Sequence, residues 1–96
     1  MPYVLRHMDT GEIAACIQKN NYNLNYYGIK QWETEDEALN ERDAFLDALG
    51  REDAHQWLLL HLDENRVKIG NVKLKNDPSR VLLMSREGVF SVASLG

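Results

Sequence analysis

Three histidines, one cysteine and a run of helix-borne carboxylates are the residues with which this chain could do metal, nucleophilic or acid–base chemistry. Metal ligation needs close spacing, such as paired Cys or paired His a few positions apart. His7, His55 and His61 lack it. On a strand, His55 and His61 would share a face yet stand roughly 20 Å apart; on a helix they would point away from each other. Cys16 could act as a nucleophile only if His7 reached it across a hairpin and a cationic setting lowered its pKa. Its neighbours Ala15 and Ile17 supply no such setting, so a small buried thiol is expected. Asp36, Glu37, Glu41, Asp43 and Asp47 fall on one predicted helix. A hydrolytic pair needs one carboxyl in an apolar pocket and another in a polar one, and a solvated helix face offers no such difference. Gly28, Gly50, Gly70 and Gly88 are isolated, so no phosphate-cradling loop is formed. The residue types therefore predict no catalytic group, no metal ligand and no cofactor.

Two stretches suit recognition better. Lys19 to Tyr27 interleaves Asn20, Asn21, Asn23 and Asn25 with Tyr22, Leu24, Tyr26 and Tyr27. Tyr offers large rigid contact area with a polar tip, and Asn offers adaptable hydrogen bonds. Tyr22, Asn23, Asn25, Tyr26 and Tyr27 are the candidate partner-binding residues. The C-terminal third is basic, and Arg66, Lys68, Lys73, Lys75 and Arg80 are candidate nucleic-acid contacts. Arg66 and Lys68, like Lys73 and Lys75, share strand parity. Phe90 is the third's one aromatic, whereas single-strand binders combine cations with several stacking rings. Lysine on an edge strand also discourages aggregation without binding anything.

The elements that must carry these residues follow from pattern. Tyr3–Met8 and Ile13–Gln18 read as strands joined by a turn at Asp9-Thr10-Gly11-Glu12. Residues 19–27 read as a structured loop, because Asn tolerates left-handed backbone, and residues 28–32 as a third strand. Thr34-Glu35-Asp36-Glu37 is a capping box. Ala38, Leu39, Phe45, Leu46 and Leu49 follow at helical spacing and Gly50 is a natural stop, which predicts a helix over 35–49. Residues 55–62 fit two patterns: Ala54, Trp57, Leu58, His61 and Leu62 make a helical stripe, while the continuous run Trp57-Leu58-Leu59-Leu60 favours a strand. Residues 63–66 read as a turn. Val67 and Ile69, then Val72 and Leu74, alternate with a phase flip at Gly70-Asn71, which reads as a bulged strand over 67–75. Residues 81–85, 86–88 and 89–93 read as a last hairpin. Locally, the phrase from Gly28 to Ala38 resembles the strand-to-helix junction of the arm-type DNA-binding domains of phage integrases and of WGR domains. The likeness covers eleven residues. Those arm domains are basic and this stretch is acidic, so their DNA binding does not carry over.

The expected fold is a single α+β domain over residues 1–96, with an antiparallel sheet in the order β-β-β-α-β-β-β-β and one amphipathic helix packed on it. One helix covers one face. Trp57–Leu60 and Val81–Met84 are apolar on both, so either the sheet curls into a half-barrel or two copies pack together. A lone thiol, no leader-like opening and no apolar run near the ~18 residues of a membrane span predict a reducing cytoplasm and no membrane. The net charge of −4 argues against general nucleic-acid binding. It hides a net −7 over residues 33–53 (nine acids, two bases) and a net +3 over residues 64–96 (three acids, six bases). The leading expectation is a non-enzymatic, self-associating interaction module, a homodimer, that presents the Asn/Tyr stretch or the acidic helix to a protein partner. A nucleic-acid or regulatory accessory protein comes second, and a small enzyme with an unidentified pocket third.

Overall fold

A computed structural model of the chain describes residues 2–94. Its strands are β1 (Tyr3–His7), β2 (Ala15–Lys19), β3 (Asn25–Ile29), β4 (Trp57–His61), β5 (Arg80–Met84) and β6 (Phe90–Ser94), with helices α1 (Glu35–Ala48) and α2 (Glu64–Leu74). They form three antiparallel ladders, β1 with β4, β2 with β3, and β5 with β6. Residues 11–14 stitch the ladders together. On one side the amides of His7 and Ala14 pair with the carbonyls of Glu12 and Leu5. On the other, Ile13 N–H donates to the Leu82 carbonyl and Met84 N–H to the Gly11 carbonyl. Gly11 sits at φ +79°, and a Cβ there would lie 2.6 Å from the Met84 carbonyl oxygen. Only glycine allows β5 to approach the turn this closely.

Each central strand feeds two cores, because successive strand residues point to opposite faces. Val4, Ile13, Ile29 and Leu82 pack with Val67 and Leu74 of α2. Leu5, Ala14, Trp32 and Trp57 pack with Ala38 and Leu46 of α1. One helix therefore lies on either face.

The α+β class and the antiparallel strands are as expected, and so is helix α1. Thr34 caps it by accepting from Glu37 N–H at 3.2 Å. At its end, Gly50 N–H donates to Asp47 and Arg51 N–H to Leu46, the paired bonds of a Schellman stop. Of the expected stripe, Ala38 and Leu46 are buried and Phe45 is half-buried, while Leu39 and Leu49 stay exposed.

Three expectations change. Residues 67–75 are not a bulged strand, since 64–74 is helix α2, and the supposed turn at 63–66 is its first turn. Asp63 caps it, accepting from Arg66 N–H at 2.8 Å. Val67, Gly70 and Leu74 are the buried positions, one face of a 3.6-residue repeat. The flip at Gly70 was that repeat sampled as if its period were two. Gly70 is there for closeness, because a Cβ would lie 2.7 Å from Ile29 Cδ1 and 2.8 Å from Leu82 Cδ2. Second, α2 packs on the face that was expected to need a second copy or a curled sheet, and shields its core residues Val4, Ile29 and Leu82. Third, residues 25–27 belong to strand β3 rather than to a loop, leaving a tight turn over 20–24.

Candidate functional site

The β2–β3 hairpin carries three exposed large apolar side chains. Asn20 builds its turn. The Asn20 side-chain oxygen accepts from Tyr22 N–H at 2.9 Å and Leu24 N–H at 3.1 Å. Asn20 N–H donates to the Leu24 carbonyl, and Asn23 takes the left-handed conformation at φ 61°. This frame holds out Tyr22 (83% exposed), Leu24 (62%) and, on β2, Ile17 (55%).

The two edges of the hairpin are treated differently. The register Ala15↔Ile29 to Lys19↔Asn25, with hydrogen bonds at 14–30 and 20–24, turns the even-numbered residues of β2 toward β3. On β3 the outward amides are covered. Tyr27 N–H donates to Asn76 Oδ1 at 2.6 Å, and Ile29 N–H to Asn71 Oδ1 at 2.9 Å. Helix α2 thus closes that edge with two side-chain amides. On β2 the outward groups belong to Ala15, Ile17 and Lys19. Among the described residues the Ile17 and Lys19 amides meet no acceptor. An apolar residue at the centre of an open edge invites another strand.

Of the expected binding residues, Tyr22, Asn23 and Asn25 are exposed on this hairpin. Tyr26 is half-buried, its ring against Gly28. Tyr27 is an anchor and not a free contact. Its hydroxyl donates to the Arg80 carbonyl at 3.1 Å and its ring packs on the core under α2. Burial, and then the Glu12 carboxylate, push its phenol above the usual tyrosine pKa.

The basic set is dispersed by the change from strand to helix. Arg66 lies over the Phe90 ring at 4.4 Å and donates to the Gly88 carbonyl, so it ties α2 to the last hairpin. Lys73 falls two helical turns beyond Arg66, Lys68 lies on the opposite side, and Lys75 is the left-handed residue that ends the helix. Arg80 donates to the Lys73 carbonyl at 3.0 Å. Side chains that shared strand parity therefore no longer form rows. The acids of α1 remain a solvated face, with Arg42 paired to Asp43 and Glu41 accepting from the Trp32 indole.

One cluster escapes sequence reading altogether. Buried His7 accepts at Nδ1 from the amides of Asp9 and Thr10, at 3.1 and 3.2 Å. Those two donors assign the ring proton to Nε2, which donates to Asp53 at 2.9 Å. The other Asp53 oxygen accepts from the Trp57 indole at 3.0 Å. The Trp57 and His7 bonds hold the Asp53 carboxyl below the usual aspartate range. Arg51, delivered by the Schellman stop, crosses the Trp57 ring and pairs with Glu12 at 2.5 Å. Both His7 nitrogens are occupied, so the geometry is that of a clamp on the β1 turn. His7 meets Asp53 across 46 positions, and no local signal marks that pairing. Cys16 stands opposite Gly28, away from His7, and burial raises its pKa. That is the reverse of an activated thiol. Among the described residues, no three His, Cys, Asp or Glu side chains converge to hold a metal ion, and no helix is long and apolar enough to cross a membrane.

No protein-family model, curated protein or solved structure matches this chain.

Proposed function

We propose that this chain is a non-enzymatic interaction module of one domain that pairs with a second copy of itself through the open edge of β2. The observation that supports this most is the contrast between the two edges of one hairpin: Asn71 and Asn76 cap β3, and among the described residues nothing caps Ile17 and Lys19. The outward groups of β2 are complementary to themselves. In an antiparallel pair centred on Ile17, Ile17 meets Ile17 of the other copy and Lys19 meets Ala15. No like charges then stand directly opposite, and about six inter-strand hydrogen bonds form. The contact is isologous, so it closes at two copies. Tyr22 and Leu24 at the tip extend the apolar surface beside it. The reducing cytoplasm expected from the lone thiol is the compartment proposed for this pairing, with Cys16 kept as a thiol.

Sedimentation equilibrium from micromolar to millimolar concentration tests the pairing. The wild-type chain shifts from monomer to dimer across that range, and Ile17→Lys, which sets two ammonium groups at the twofold axis, stays monomeric with an unchanged melting point. A wild-type chain that is monomeric throughout, or an Ile17→Lys variant that dimerises equally, rules the proposal out.

A further inference from the structure

Helix α2 covers its face of the sheet only in part. Leu58 and Leu60 of β4, Arg6 of β1 and Met84 of β5 line a groove of ≈ 280 Å³, together with Ser85 and Arg86. Arg6 and Leu58 are cross-strand partners, as are Val4 and Leu60. All four side chains therefore lie on the α2 face. Leu60 packs on the core there while Leu58 stays 51% exposed.

The groove is apolar along its length and cationic at one end. Two arginines line it and no carboxylate does; Asp9 lines the adjoining cleft, which shares Arg6 and Arg86. The two cations are prepared differently. Arg6 is half-buried and held by one bond, from Nε to the Met84 carbonyl at 2.9 Å. A guanidinium has five N–H donors, so its outer fork is set in place at no further ordering cost. Arg86 is exposed and has no ion pair or hydrogen bond among the described residues. Two guanidinium groups beside an apolar trough match a planar carboxylate carried on a hydrocarbon chain.

We infer that this groove binds a medium-chain aliphatic carboxylate, with the chain along Leu58, Leu60 and Met84 and the carboxylate between Arg6 and Arg86. The size follows from volume. A cavity of about 150 Å³ holds the six carbons of benzene, so this groove holds roughly ten heavy atoms, the number in octanoate. An open groove and a ligand this small give a Kd on the order of 1 mM. The site shares no residue with the β2–β3 hairpin and stands whether or not the chain dimerises.

The test is an NMR titration of the isotope-labelled full chain with octanoate and acetate, each to 10 times that expected Kd, and with octanol to its solubility limit. Octanoate should shift the amides of residues 58–60 and 84–86. Octanol, which lacks the charge, and acetate, which lacks the chain, should each bind about tenfold more weakly or not at all. Arg86→Gln, at an exposed position outside both cores, should weaken octanoate about tenfold and leave octanol unchanged. The inference is overturned if octanoate leaves these amides unmoved, if its shifts centre elsewhere, if octanol binds equally well, or if Arg86→Gln binds octanoate as tightly as wild type.

Discussion

Replacing Asn71 with leucine removes one hydrogen bond and leaves its donor stranded. Ile29 N–H donates to Asn71 Oδ1 at 2.9 Å, and Ile29 is fully buried. Water cannot reach the orphaned amide, so the cost is that of an unsatisfied buried donor, about 1–3 kcal/mol. Leucine and asparagine differ little in size and leucine is the better helix former, which returns a few tenths of a kcal/mol. The net loss is about 1–2.5 kcal/mol. For a domain of this length each kcal/mol is about 4–8 °C in Tm, so a fall of about 5–15 °C is expected. Asn71→Asp supplies the control. It keeps the acceptor oxygen and makes the bond charge-assisted, while its charge near the helix C-terminus costs about 0.3–1 kcal/mol. Its stability should stay within about 1 kcal/mol of wild type. Urea denaturation monitored by Trp fluorescence measures all three proteins. An Asn71→Leu midpoint equal to wild type would refute the reasoning that α2 closes the β3 edge through this side chain. So would an Asn71→Asp variant as unstable as Asn71→Leu.

Other expectations are independent of that one. Gly11→Ala must hold a side chain at φ +79° with its Cβ 2.6 Å from a backbone oxygen, and should lose at least 2 kcal/mol by chemical denaturation, roughly the sum of a strained φ and a backbone clash. Val72 is 74% exposed on α2, so Val72→Ala should be neutral or stabilising by up to about 0.5 kcal/mol; a clear loss would restore the strand reading of this segment. Asp63→Ala removes the α2 cap and should cost about 1 kcal/mol in the same assay. The Asp53 carboxyl has a lower pKa folded than unfolded. Its contribution is complete above the unfolded value near ~3.9 and is lost as pH falls through the folded value. The stability gap between wild type and Asp53→Asn should therefore be widest near neutral pH and narrow below about pH 4, and a gap that is constant with pH would contradict the Trp57–Asp53–His7 geometry.

What was legible in the sequence divides along the range of the interactions involved. Helix α1 was readable because its signals are local: Thr34 three residues before Glu37, acids in the first turn, and Gly50 at the stop. The β5–β6 hairpin was readable for the same reason, with Gly88 at φ 86° in its turn. Helix α2 was not. Val67, Ile69, Val72 and Leu74 satisfy two periods at once, and a glycine inside a helix costs about 1 kcal/mol relative to alanine. What justifies Gly70 is its approach to Ile29 and Leu82, 41 positions before and 12 after, which no window around it contains. The hairpin was half legible. The Asn/Tyr composition marked an exposed turn at Tyr22 and Asn23, but Asn25 already opens strand β3. It could not show that Tyr27 reaches Arg80, or that the Asn side chains that decide which edge stays open are Asn71 and Asn76, on a helix the pattern had concealed. The clamp at His7 was invisible because its partners, Asp53 and Trp57, come from the far side of α1.

Amide hydrogen exchange read residue by residue at two protein concentrations tests the open edge most directly. The Tyr27 and Ile29 amides, held by Asn76 and Asn71, should be protected equally in a dilute and a concentrated sample. The Ile17 and Lys19 amides should exchange freely when dilute and slow at least tenfold when concentrated, as each finds a carbonyl on the other copy. Rates at Ile17 and Lys19 that do not change with concentration would contradict self-pairing through β2.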